Sequence, residues 1–320
     1  MQSDQDKFRR EEECFLALAE LRGVGFESLK VIARDKIPFS SFFFKDDNER
    51  YRQSFAGKAY AARITAALPD QISRIKQLDE GRRRRDELRE IDTRVLFADQ
   101  PDFPEKLCAT KDPAQWLFVQ GSREAINQPS ITAVGSRQVS NDGTWLAEYL
   151  GHSLPELKAI TISGLANGVD QIVHSASLRN GLPTVAVLGT GIMLDYPKGS
   201  EDLRKGIIET GGSVVTEYLP MDSFSAKNFV RRNRIQAGLG SCVFPIEWAI
   251  KSGTSHTVKF AYEAGRPLIF ARTPEQPSFD WIPGDYHQVG AFFTLPLEHT
   301  RFIQTLEDCL MGIQKQPRLI

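Results

Sequence analysis

No stretch of the 320 residues holds the roughly 18 consecutive apolar side chains that a membrane-spanning helix needs. The opening MQSDQDKFRREEECF lacks the apolar core of a secretory leader. Both absences point to a cytoplasmic protein with no membrane partner. Cysteine is scarce: Cys14, Cys108, Cys242 and Cys309 stand far apart, with neither a CxxC pair nor a disulfide framework, the pattern of reduced thiols. The histidines (His152, His174, His256, His287, His299) are equally scattered and HExxH is missing, so no metal is expected. A GxxxxGK phosphate loop is lacking, and Gly189-Thr190-Gly191 has no glycine three residues further on to complete a dinucleotide fingerprint. ATP hydrolysis and nicotinamide chemistry therefore lose their sequence support, and no cofactor is expected. No carboxylate cluster suits a two-metal nuclease. An excess of positive charge is also missing, since 40 Lys and Arg face 41 Asp and Glu. That excludes a chain basic all over but leaves room for a local basic site.

What is present is an ordinary globular composition, 41% hydrophobic and 25% charged, in a length that suits two or three domains. Residues 10–76 read as short helices. Leu21-Arg22-Gly23-Val24-Gly25-Phe26 falls between two of them, as a plain turn or as a hairpin whose backbone approaches a DNA phosphate. LDEGRRRRDELRE (78–90) is a charge run in which Asp86 follows Arg82, and Glu87 follows Arg83, by four residues. That spacing predicts an exposed connecting helix laced with side-chain pairs. From residue 130 the pattern changes. Short apolar runs at 131–134, 159–162, 184–188, 213–215, 242–244 and 267–270 alternate with helical stretches near 142–154, 168–180, 199–210, 229–239 and 254–264. Buried strands separated by helices of that length predict βαβ crossovers and a doubly wound, mainly parallel α/β sheet. Such sheets bind ligands beyond the carboxyl ends of their strands.

The candidate residues follow the strands. Gly135-Ser136-Arg137 offers a turn, a hydroxyl at a helix start and an arginine facing the crevice, where backbone N–H groups and the helix dipole favour an anion. Ser163-Gly164 opens a second glycine-bearing turn that runs to Asp170 and His174, four residues apart on one helix face. We read that pair as a buried hydrogen bond tying helix to loop. Lys227-Asn228-Phe229-Val230-Arg231-Arg232-Asn233-Arg234 is the densest site. Residues 221–240 carry four basic side chains and one acid, a balance of +3. Such charges at a helix start neutralise phosphates, and Phe229 offers a face for a base. Ser252 and Thr254 are expected to cap the last of these helices.

Together, VGSR, SGLANGVD, AVLGTGIMLDYP, TEY, NFVRRNRIQAGL and SGT followed by AYEAGRP resemble the DNA-processing protein A (DprA/Smf) family, in order and across residues 130–272. FPEKLCATKDPAQWLFVQG (103–121) is similar to the family's lead-in, and the helical start to its sterile-alpha-motif-like or helix-hairpin-helix module. The resemblance implies a Rossmann-like domain and a homodimer that binds single-stranded DNA without sequence preference. It further implies protection of that DNA and help in loading a RecA-type recombinase during DNA uptake, with no enzymatic step. On it, Arg137 holds a phosphate and Lys227, Asn228 and Phe229 contact backbone and base. Arg231, Arg232 and Arg234 line or brace the pocket, and Gly135, Ser136, Ser163 and Gly164 give backbone approach. The implied domains are 1–77 (helical), 78–100 (charged linker), 101–275 (Rossmann-like with lead-in) and 276–320 (a diverged extension without a winged helix). Asn167 stands where the family commonly has arginine, and Arg272-Thr273-Pro274 replaces its usual valine-proline-glycine. Two alternatives remain open. One is a module for a small nucleotide or signalling ligand. The other is a lysine-decarboxylase-like ("lonely guy") nucleotide phosphoribohydrolase, although the glutamate such an enzyme needs after its GGxGT loop is missing beyond Thr254.

Overall fold

The six apolar runs from residue 130 onward become six strands of a nine-stranded sheet. The structure is a computed structural model that describes residues 2–44, 53–54 and 57–313. It divides into two units, 1–95 and 96–320.

In the first unit, α1 (Gln2–Ala19), α2 (Phe26–Arg34), α3 (Ala59–Ala67) and α4 (Gln71–Glu90) account for most of the described residues. Asp70 starts α4 by accepting from the Ser73 amide at 2.8 Å, while the Ser73 hydroxyl faces the Asp70 backbone, a reciprocal cap. The charge run lies inside this helix and within the first unit, so it does not separate the units. Gly81 brings α4 against α1: a Cβ there would overlap the Glu13 carbonyl. The arginines then find acids on α1. Arg84 meets Glu20 at 2.7 Å, Arg89 meets Glu12 at 2.6 Å, and Arg82 and Arg85 both reach Glu13. Arg83 pairs with Glu87 as the spacing predicts. Arg82 turns instead to Glu13 and Asp79, leaving Asp86 to Arg85. The Gly23–Gly25 segment is a tight turn, with Gly23 at φ +85° and Gly25 preceding α2.

In the second unit, the strands are β1 (Thr93–Phe97, begun in the first unit), β2 (Trp116–Gly121), β3 (Ser130–Gly135), β4 (Ile160–Ser163), β5 (Thr184–Val187), β6 (Ser213–Thr216), β7 (Cys242–Ile246), β8 (Leu268–Arg272) and β9 (Gly290–Thr294). Their order is β1-β2-β6-β5-β4-β3-β7-β8-β9. From β6 to β9 every pairing is parallel, and β2 runs antiparallel to β6. The crossover helices are α6 (Asn141–Leu157), α7 (Val169–Arg179), α8 (Glu201–Glu209), α9 (Ala226–Leu239) and α10 (Gly253–Glu263), following a short α5 (Glu105–Cys108). Side chains alternate across the strands. Ile131, Ala133, Cys242, Phe244 and Ile246 join Leu150 and Leu154 of α6 on one face, whereas Val134 and Val243 join Ala237 of α9 and Val258 of α10 on the other. Both faces are thus covered, as a parallel sheet requires.

The segment expected to be an extension is part of this core. After the short α11 (Gly284–His287), β9 pairs with β8 from Leu268↔Gly290 to Arg272↔Thr294, and α12 (His299–Leu310) buries Phe302, Ile303 and Leu306 against α6 and β7. A boundary at 275 would split the sheet. Residues 314–320 of that segment lie outside the described residues. Because β3 leads to β4, β5 and β6 on one side and the chain then returns to β7 on the other, the order reverses between β3 and β7. That is where such a sheet opens a crevice.

Phe302 is fully buried and packs edge-to-face on Phe293 at 5.4 Å. Phe302→Ala is expected to cost about 3–5 kcal/mol in denaturant unfolding of the second unit. A loss below 1 kcal/mol would mean that α12 is not integral to this core.

Candidate nucleic-acid interface

The strand-order reversal opens a cleft of about 970 Å³. Its walls come from the ends of β3 and β7, the starts of α9 and α10, and the loops holding Tyr196 and Phe224. The backbone pairing continues past the strand ends, with Ser136 N–H donating to the Glu247 carbonyl at 3.0 Å. Gly135 is required there because a Cβ would overlap the Ile246 carbonyl. The Ser136 hydroxyl turns back to the Gln138 carbonyl at 2.6 Å, and Arg137 stands exposed at the rim.

The anion expected at the start of α6 is supplied by the chain itself. Glu247, at φ +46°, accepts from the Ser140 amide at 2.8 Å and from its hydroxyl at 3.1 Å. A carboxylate thus occupies the positive end of that helix.

Helix α9 changes character along its length. Ala226 and Lys227 are exposed, 228–231 are half-buried, and 232–240 are buried. Ser225 caps it by accepting from the Asn228 amide at 3.0 Å. Asn228 is committed locally: its side chain donates to the Ser223 carbonyl at 3.1 Å, and its own carbonyl accepts from Tyr218 at 3.0 Å. Phe229 sits at the cleft rim. Its ring lies 5.3 Å from Tyr196 and 6.5 Å from Phe224, while Tyr196 and Phe224 stack at 4.8 Å. The Arg137 guanidinium lies 5.4 Å from the Phe229 centroid, a cation–π contact. Phe224 is 58% exposed and Tyr196 and Phe229 are half-buried, so the group presents a partly open aromatic surface with the exposed Arg137 against it. Lys227, two residues before Phe229 on α9, is exposed outside the cleft lining. Gly189 permits this packing, because a Cβ there would sit 2.5 Å from Phe229.

The remaining basic residues of α9 are committed to bracing the fold. Arg232 lines it but is only 5% exposed, and donates to the carbonyls of Gly164 (2.8 Å) and Val187. Burial pushes its pKa down to about 10, opposed by the nearby Asp170 carboxylate and assisted by Arg137. Arg234 forms a buried two-pronged pair with Glu217 at 2.8 and 2.7 Å, and Arg231 lies 3.5 Å from the same carboxylate. Ser163 is buried and donates to the Ala133 carbonyl at 2.6 Å, and Gly164 packs on Arg232. Of the residues expected at the site, the cleft therefore gathers Gly135, Ser136, Arg137, Phe229 and Arg232, with Lys227 and Asn228 beside it. It does not gather Ser163, Gly164, Arg231 or Arg234.

A family model described as DNA recombination-mediator protein A matches residues 94–290, more than half of the chain. The chain belongs to that family. It is 37% identical to protein Smf of Escherichia coli K12 over 180 residues, 55% of this chain and 47% of that protein. To the DNA processing protein DprA of Streptococcus pneumoniae it is 36% identical over 167 residues, 52% and 58% of the two chains. The matched region spans about half the length of these relatives. Among solved structures, the S. pneumoniae DprA aligns over 85% of this chain and 96% of its own (TM-score 0.58, 24% identity). The Helicobacter pylori DprA, described for its single-stranded DNA binding mode, aligns over 68% and 96% (TM-score 0.57, 21% identity). At these identities the likeness shows a shared fold. Membership of the recombination-mediator protein A family does not favour the small-nucleotide or phosphoribohydrolase alternatives.

In this family member the sequence reading missed Tyr196 and Phe224, whose part depends on loops that only the fold brings to Phe229. The capping expected of Ser252 and Thr254 does not occur: their hydroxyls donate to the Ala249 (2.6 Å) and Gly135 (3.1 Å) carbonyls. Asn167, in place of the commoner arginine, is exposed and accepts from Gln171 at 3.2 Å. Asp170 makes the expected buried tie from helix to loop, and His174 takes a separate partner. Asp170 accepts from the Gly164 amide at 3.1 Å, and His174 meets Thr184 at 2.8 Å.

Two stability predictions follow from these placements. Arg234→Ala, which takes the two-pronged partner from the buried Glu217 and leaves it Arg231 at 3.5 Å, should cost about 3 kcal/mol, whereas Lys227→Ala should stay within about 0.5 kcal/mol. Equal effects in denaturant melts would contradict the division between brace and rim. Burial also pushes the His174 pKa down from 6.5 to about 3, with Arg232 acting in the same direction. The unfolded chain therefore takes up a proton that the folded chain refuses, and stability is full above pH 6.5 and falls as pH drops below it. The expected slope is up to about 1.4 kcal/mol per pH unit. His174→Gln should flatten it, and an unchanged profile would contradict a neutral buried imidazole.

Proposed function

We propose that this cleft binds single-stranded DNA without sequence preference, and that the protein protects such strands and assists recombinase loading. The observation that carries the reading is the Tyr196–Phe224–Phe229 ring cluster at the cleft, with Arg137 against Phe229 and the exposed Lys227 at the start of the same helix. Bases of any identity have a π face, and stacking on an aromatic side chain contributes about 1–3 kcal/mol per base. Duplex DNA keeps its bases inside, so the same surface selects single strands. Arg137 and Lys227 neutralise phosphates on either side, and Arg232 adds positive potential from beneath the floor. Covalent chemistry has no part in the scheme.

The family and the single-stranded DNA binding of the H. pylori protein support this reading. A RecA-type recombinase as partner and a homodimer as the working form belong to the same proposal.

Fluorescence anisotropy with labelled oligonucleotides of several lengths, at two salt concentrations, tests it. Binding should favour single over double strands and weaken with salt. In the Arg137→Ala/Lys227→Ala double variant it should fall steeply, with the salt slope reduced by roughly 0.7 per lost phosphate contact. Absence of binding by the wild type at low salt, or unaltered binding by the double variant, would overturn the assignment.

A further inference from the structure

Most polar side chains around the cleft floor already have partners. Asn233 donates to the Gly253 carbonyl at 3.1 Å, Thr254 to the Gly135 carbonyl at 3.1 Å, and Arg232 to Gly164 and Val187. Gln236 differs. It lies one turn beyond Arg232 on α9, lines the cleft, and is 1% exposed, yet its Nε2 is buried without a hydrogen-bond partner. An unmatched donor of this kind destabilises a fold, and a leucine of similar size would avoid the penalty. A buried polar group left unmatched on the floor of a cleft is explained by a partner that arrives with the ligand.

The chemistry of the floor limits what that partner is. Arg232 already gives donors to Gly164, Val187 and Asn233, so a phosphate at this depth, which offers acceptors only, would share the cleft with the Glu247 carboxylate and the buried Asp170. A nucleobase is neutral, and its edge presents donors and acceptors that an amide can match. Apolar walls suit its faces: Val134, Val230 and Trp248 line the same cleft. Phe229 and Tyr196 line the same cleft as Gln236, so the aromatic cluster and the floor belong to one cavity.

We propose that the floor is a nucleobase subsite, in which one base of the bound strand enters edge-first and is read by the Gln236 amide. This rests on the single-stranded DNA reading and adds to it a modest base preference, within a grip otherwise indifferent to sequence. The four base edges place their donors and acceptors at different reach, so one amide does not serve them equally.

The test is equilibrium binding of dT, dC and dA oligonucleotides of one length to wild type, Gln236→Leu and Gln236→Met. The wild type should rank the three with a spread of roughly three- to ten-fold, the effect of one hydrogen bond. In both variants the spread should collapse while binding and its salt dependence persist, because the phosphate and stacking contacts remain. A wild type without base preference, or a preference that survives in both variants and so arises from stacking alone, overturns the subsite and leaves the DNA reading standing. Failure of the wild type to bind any of the three removes both.

Discussion

The cleft depends on a buried guanidinium. Arg232 leaves water almost completely, which for a cation is affordable only when its donors are matched and its charge is countered. Both conditions are met at the carboxyl ends of neighbouring strands. Gly164 follows β4 and Val187 ends β5, and their carbonyls accept from Arg232 while Asp170 opposes its charge from α7. Asp170 in turn holds the 164–166 loop by accepting from its amides. Gly164 has to be glycine because any Cβ would overlap the guanidinium. One side chain thus fixes α9, α7 and two strand ends relative to one another. Arg234 secures α9 on another side through Glu217. What remains of the helix, residues 226–231, holds Phe229 in the cleft lining and leaves Lys227 exposed.

This division explains why a basic cluster in sequence is not a basic surface in space. Of the four cations between 221 and 240, two are buried structural groups, one is largely covered beside Glu217, and only Lys227 is exposed. The site gains its second exposed cation from the turn after β3, as Arg137, and its aromatic area from two loops and Phe229 of α9. A net charge of −1 over the whole chain is compatible with such a site, because phosphate attraction depends on where the exposed cations stand.

The α/β architecture was legible because each buried parallel strand carries a β-branched run and each crossover a helical period. Those patterns placed the six central strands from β3 to β8 and five crossover helices to within a few residues. The end of the sheet was not legible. Gly290–Thr294 is a short run whose identity as β9 comes from pairing with β8, a contact that local periodicity does not encode. Likewise the arginines of α4 and α9 were visible as charges, but their partners were not. Glu13 is 69 residues from Arg82, and Asp112 is 122 residues from Arg234. At the site, Arg137 and Phe229 were found from strand-end position and composition. Tyr196 and Phe224 were not, because loop aromatics carry no signal until the fold brings their rings together.

On the proposed reading, a DNA strand lies on the Tyr196–Phe224–Phe229 surface. Photocrosslinking with single-stranded oligonucleotides carrying 5-iododeoxyuridine, followed by peptide mapping, examines it most directly, because adducts form where a base touches an aromatic ring. The account predicts adducts at Tyr196, Phe224 or Phe229 that disappear when unlabelled single strand competes. Specific adducts confined to peptides away from these rings, in either unit, would contradict it.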